Sequence, residues 1–185
     1  MTRQLLSFGR IDDVTAEGMT DEDWRLWRAF SSMNRALARE IDRQLQRDSG
    51  ISNADYSVLV SLFETTEHRL RTGELAEVLS WEKSRVSHQI ARMEARGLVE
   101  RHECAEDGRG TWVTLTRDGR RATLGATRAH AAKLREVFFD LLGDDEKAAF
   151  GSASRRVLDK ISAPACEIAA EVYDEGAISR AVAAS

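Results

Sequence analysis

The chain has a single proline, Pro164, and two cysteines, Cys104 and Cys166, in 185 residues. With so few breakers, long helices are permitted. Two thiols in a chain of this length do not make a disulfide framework. No segment reaches the roughly 20 consecutive apolar residues needed to span a bilayer. The start, MTRQLLSFGRIDD, lacks the long apolar core and small-residue cleavage site of a secretory signal. A cytoplasmic protein with no membrane partner is therefore expected. There is no P-loop, GxSxG, HExxH or dinucleotide fingerprint, so an enzyme is not expected. His68, His102 and His130 are scattered without a ligand-spaced His/Cys pair, and only Glu64 with His68 forms an i,i+4 couple. No metal or cofactor is expected. What remains is the composition of a folded chain, 42% apolar and 31% charged.

Charge is unevenly spread. The formal net charge is -4, which by itself argues against a polyanionic partner. Between Lys83 and Arg121, however, nine Lys and Arg face six acids, a local excess of +3 that leaves -7 on the rest. A basic module in an acidic chain is a local electrostatic footprint.

The periodicities predict mostly helix. Thr20-Asp21-Glu22-Asp23 is a hydroxyl cap followed by acids suited to the positive end of a helix dipole. Leu26, Phe30, Met33, Leu37, Ile41 and Leu45 recur at three or four, predicting a helix from about Asp21 to Arg47. Ser52 to Asp55 opens a second helix with Tyr56, Leu59, Leu62 and Phe63 as its stripe. After a polar break, Thr72 is expected to cap a short third helix and Ser80 a fourth, closed by Gly97. Strands are expected over Leu98 to Cys104 and Thr111 to Leu115. A long helix then runs from Thr116 to about Leu142, and another from Glu146 to about Ser162. A short helical pattern, Cys166 to Tyr173, follows Pro164. The order reads αααα-ββ-αα.

Projected at about 100° per residue, the fourth helix buries Val86, Ile90 and Met93. It exposes Ser84, His88, Ala91 and Ala95, flanked by Lys83, Arg85, Ser87 and Arg92. Arg suits the two acceptors of guanine, and small polar groups suit single base edges or phosphates. The two alanines permit close approach. In the hairpin, Gly108 and Gly110 allow a tight tip from which Arg109 projects toward a minor groove, with Asp107 orienting it. A short helix, a turn, a polar helix and a Gly-tipped hairpin make the layout of a winged helix-turn-helix. The predicted fold is mainly α with a small β-hairpin wing. Residues 1–19 form an arm, 51–116 the DNA-binding domain, and 20–50 with 117–185 a dimerisation region of N- and C-terminal helices. Dimerisation would bury the apolar faces of the terminal helices and suit a palindromic double-stranded site.

Leu75-Ala76, Val86-Ser87, Met93-Glu94 and Gly97-Leu98-Val99 with Arg101, then Asp107, Arg109, Val113, Leu115-Thr116 and Gly119, resemble the DNA-binding region of the MarR family of bacterial regulators. The resemblance implies a homodimeric transcriptional regulator, with repression the favoured sign. It also implies release from DNA by a small, often aromatic, anionic effector bound between the arms and the DNA lobe. Gly108, where a second basic residue often sits, and the longer tail depart from the family pattern. Trp24, Trp27 and Phe30 on the first helix and Tyr56 and Phe63 on the second read either as core or as the lining of an effector pocket. Three alternatives stay open. One is a thiol-redox regulator: Cys104 lies near Arg101 and His102 and Cys166 near Glu167, although burial is the default role for both. Another is a metal-responsive regulator. The third is a winged-helix protein–protein adaptor that does not touch DNA.

Overall fold

The computed structural model describes residues 18–103 and 111–161. The arm up to residue 17, Cys104, the hairpin tip with Asp107 and Arg109, and the Cys166 to Tyr173 pattern lie outside the described residues. The chain divides into two compact units, Met1–Leu37 and Ala38–Ser185. The elements are α1 (Asp21–Ser49), α2 (Asn53–Glu64), β1 (Arg69–Arg71), α3 (Thr72–Val78), α4 (Lys83–Ala95), β2 (Val99–Glu103), β3 (Thr111–Leu115), α5 (Arg117–Val137), a 3-10 turn (Phe139–Leu141) and α6 (Asp144–Ile161).

In the first unit, α1 starts as its sequence predicts. The Asp23 N–H donates to the Thr20 hydroxyl at 3.1 Å, and the Thr20 N–H donates to the Asp23 carboxylate at 2.8 Å. Each bond satisfies a donor that the first helical turn would otherwise leave unpaired. Past the cap, Leu26, Trp27 and Phe30 are exposed apolar side chains.

The second unit holds the core. Leu45 and Ile51 pack with Val58, Leu59 and Leu62 of α2, Leu75 of α3, Val86, Ile90 and Met93 of α4, and Val99 and Val113 of the sheet. Each such aliphatic side chain contributes about 1.5–3 kcal/mol by leaving water. The Ser52 hydroxyl and the Asp55 carboxylate cap α2 reciprocally.

Three expectations need correction. First, the sheet has three antiparallel strands in the order β1-β3-β2, not a lone hairpin. The added strand pairs Arg69 with Thr114, Leu70 with Val113 and Arg71 with Trp112. It carries one apolar residue between two arginines, too little alternation to mark a strand. Second, α3 begins one residue after Arg71, whose N–H is capped by Glu74 at 2.7 Å. Thr72 is therefore already inside the helix, and its hydroxyl donates to the Thr111 carbonyl at 3.2 Å. Third, Ser80 does not cap α4; it closes α3. Its φ is +51°, its N–H meets Glu77 O at 3.0 Å, and the Trp81 N–H meets Ala76 O at 2.9 Å. That is the double closure of a helix C-terminus. Gly97 closes α4 in the same way at φ +69°, with Gly97 N to Glu94 O at 2.9 Å and Leu98 N to Met93 O at 3.0 Å.

Candidate nucleic-acid interface

The α3–Ser80–α4 connection turns α4 so that Val86, Gln89, Ile90 and Met93 are buried. Lys83, Ser84, Arg85, Ser87, His88, Ala91, Arg92 and Ala95 are exposed together. Arg85, His88, Ala91, Arg92 and Ala95 line an open depression of about 600 Å³. The lining combines two small alanine side chains with two guanidinium groups. Lys83 and Ser87 border a neighbouring cleft of ≈ 580 Å³ shared with Arg71, Thr72, Arg101 and Thr111, which runs from α4 toward the sheet.

Several of these side chains are held in place. The Arg85 guanidinium lies 3.9 Å from the centroid of the Trp81 ring, a cation–π contact that restrains it without using its donors. The Ser87 hydroxyl donates to the Lys83 carbonyl at 2.9 Å, which leaves its lone pairs as acceptors. Arg92 Nη2 donates to Gln89 Oε1. Ser84 and His88 are exposed on the same face. Arg101 is engaged at the base of the wing, where its Nε donates to Glu94 at 2.8 Å. That hydrogen bond holds the Glu94 carboxyl below the usual carboxylate range. On β3, Trp112 takes the Arg69 guanidinium at 4.5 Å and that of Arg71 at 5.1 Å.

The aromatic residues named from sequence fall in different surroundings. Trp27 and Phe30 meet with tilted rings at 5.8 Å in the first unit, to which Trp24 also belongs. In the second unit Phe63 is core, with His68 stacked on it at 5.2 Å and the Arg120 guanidinium 5.4 Å from its ring. Arg120 also reaches His68 Nε2 at 3.1 Å. Tyr56 lies elsewhere. With Asn53, Ser57, Val60, Ser61, Leu79, Trp81 and His130 it lines a cavity of ≈ 290 Å³. Its hydroxyl is 3.1 Å from Thr127 Oγ1, and its ring is 4.6 Å from that of His130. Burial raises the Tyr56 hydroxyl above its ordinary value and lowers His130 below its own. His130 Nδ1 is buried without a hydrogen-bond partner. Among the described residues no group of three His, Cys, Asp or Glu is arranged to hold a metal ion.

The sequence alone assigned no functional role to Trp81, Asp55, Gln89 or Arg96. The spacing of four from Trp81 to Arg85 was a usable signal. The other three meet only across the fold.

A helix-turn-helix with one strand before it and two after it, all in one antiparallel sheet, and with a cationic outward face on its second helix, defines the winged-helix class. The profile of the MarR family matches residues 51–111. Sco3205 of Streptomyces coelicolor, a MarR family transcriptional regulator crystallised in complex with DNA, is 34% identical, with a TM-score of 0.75 over 79% of this chain and 95% of that one. AbsC, a MarR family regulator from the same organism, is also 34% identical, with a TM-score of 0.73 over 77% of this chain and 96% of that one. The HTH-type transcriptional regulator PrsX of Escherichia coli is 28% identical over 59% of this chain, and the match spans 65% of the length of that relative. The chain belongs to the MarR family.

Proposed function

We propose that the chain is a transcriptional regulator that binds double-stranded DNA as a homodimer at a palindromic operator. The observation that carries the reading is the outward face of α4, where Arg85 and Arg92 line one open depression with His88, Ala91 and Ala95. Its fold is shared with a relative crystallised on DNA. Lys83, Ser84, Arg85, Ser87, His88 and Arg92 enter the major groove, and Arg109, oriented by Asp107, reaches the adjacent minor groove. The exposed apolar side chains, such as Leu26 at 70% and Ile161 at 71% exposure, support self-association. Repression is the sign favoured for the bound state.

Selecting bound duplexes from a random pool tests the reading. A recovered palindrome is the expected result. Arg109→Ala should then weaken binding across many sequences, Arg85→Ala should change base preference, and Arg92→Ala should weaken binding to the selected site. Equal affinity of all three variants and the wild type would overturn the mechanism and favour an adaptor that does not use DNA.

A second reading concerns the switch. The Tyr56–His130 cavity offers aromatic walls, a hydroxyl and an unpartnered ring nitrogen, and suits a small aromatic anion. Such a ligand would press on Leu79 and Trp81 at the α3–α4 connection and on Arg85 through Trp81. Its release from the operator by benzoate-like acids, absent in His130→Ala, is the outcome that supports this reading.

A further inference from the structure

Asp55 is buried at 3% exposure and carries more bonds than its cap requires. Its Oδ2 accepts from the Ser52 N–H and the Ser52 hydroxyl, each at 2.8 Å. These suffice to cap α2. The same Oδ2 accepts from Arg96 Nη1 at 2.8 Å, and Oδ1 accepts from Gln89 Nε2 at 2.6 Å. Gln89 lies within α4 and Arg96 at its C-cap, and Arg96 also donates to the Gly50 carbonyl at 2.8 Å.

Gln89 is 2% exposed, at a position an apolar side chain would ordinarily fill. Its polarity has a direction. A carboxylate only accepts, so the NH2 of Gln89 must face Asp55 and its Oε1 must face away. Away from Asp55 lies Arg92, whose Nη2 donates to that oxygen. One edge of the guanidinium is thereby tied to the protein, and Arg92 lines the α4 depression.

We propose that Asp55 is a positioning residue for DNA recognition. Through the buried Gln89 amide it sets the direction of a two-bond relay that holds the Arg92 guanidinium at the groove-facing edge of α4. The inference rests on the DNA-binding reading of α4. An arginine held in its binding orientation loses less conformational freedom on contact and presents a defined donor pair to a base. Asp55 thus acts on the DNA through Gln89 and Arg92, without touching it.

The relay is tested by reversing its polarity in the full-length chain, with a duplex recovered by the wild type as the probe. Asp55→Asn keeps the shape. With its oxygen on the Ser52 and Arg96 side, its NH2 opposes the NH2 of Gln89. The glutamine amide must then turn over and present a donor to Arg92. Adding Gln89→Glu restores the sequence of donors and acceptors, because the new carboxylate accepts from the new amide on one side and from Arg92 on the other. Asp55→Asn is expected to lower affinity about tenfold and to blunt discrimination among duplexes altered at single positions. The Asp55→Asn/Gln89→Glu pair should recover affinity to within about threefold of wild type, and in an Arg92→Ala background neither change should matter beyond about twofold. Gln89→Met leaves the Ser52–Asp55 cap and the Arg96 pair intact and should repeat the tenfold loss, so the relay is testable even if Asp55→Asn fails to fold. An Asp55→Asn loss that persists in the Arg92→Ala background, or that Gln89→Glu does not rescue, overturns the relay while leaving DNA binding standing. A wild type that retains no duplex overturns both.

Discussion

Gly119 stands where a side chain has no room. A Cβ there would lie 2.0 Å from the Leu98 carbonyl oxygen and 3.0 Å from Leu115 Cδ1. The crowding arises where α5 begins against Leu98, just before the strand that follows α4. The Thr116 hydroxyl accepts the Gly119 N–H at 2.9 Å and points at the Gly97 and Leu98 carbonyls, 2.7 and 3.1 Å away. Backbone cannot swing aside as a flexible side chain can, so Gly119→Ala should cost about 3 kcal/mol. Urea unfolding should show a lower midpoint at an unchanged slope. A midpoint equal to wild type would mean that the α5 start shifts freely. Gly119 was recognisable by its place after Leu115-Thr116, but its reason was not, because Leu98 meets it only in the fold.

The elements show where local pattern suffices and where it fails. The spacing of Val86, Ile90 and Met93 places the outward face of α4 correctly, and Ser52 with Asp55 marks the start of α2. Both depend on residues within a turn or two of each other. Ser80 is different. A serine before a helix has the composition of an N-cap, yet it occupies the left-handed position that ends α3. The start of α4 is left to Glu82, which makes no side-chain cap bond. Both helix ends compete for the same short connection, and composition cannot say which one receives the serine. Because a non-glycine residue at this φ is strained, Ser80→Gly should stabilise the protein by about 0.5 kcal/mol, after allowing for the added freedom of the unfolded chain. Thermal unfolding measures it, and a lower midpoint would mean the Ser80 side chain has an unrecognised role in the turn. β1 is the other element hidden from local pattern. Leu70 is its single buried residue, and only pairing with β3 makes Arg69–Arg71 a strand.

At the scale of the whole molecule, the half-buried His130 and the buried Asp55 govern the acid side of stability. Desolvation holds His130 below its ordinary value, so in the intermediate window the unfolded chain binds a proton that the native state refuses. Stability therefore falls as pH drops below about 6.5. Burial alone would raise Asp55, but the Ser52 backbone bond, the Arg96 bond and the Ser52 hydroxyl outweigh it and hold the carboxyl below its ordinary value. Its contribution is present above the unfolded value and is lost as pH falls below about 4. Glu64 works the other way, since burial raises it and protonation relieves that cost. In urea titrations the wild type should lose stability in two stages, and His130→Gln should remove the first stage and keep the second. An unchanged first stage in that variant would assign it to another group.

Local pattern was enough for the described helices, apart from the ends at Thr72 and Ser80, for the sense of α4 and for the basic face within an acidic chain, while the family was legible as a resemblance across residues 75–119. The helices, the face and the charge follow from local spacing or composition. Tertiary structure alone decided the third strand, the owner of Ser80, the cavity that joins Tyr56 to His130 and the Asp55–Gln89–Arg92 relay. The cavity and the relay depend on side chains from separate helices meeting at hydrogen-bond or ring-contact distance, and the strand depends on a partner far along the chain. Periodicity says which way a residue points, and only the packed fold says what it meets there.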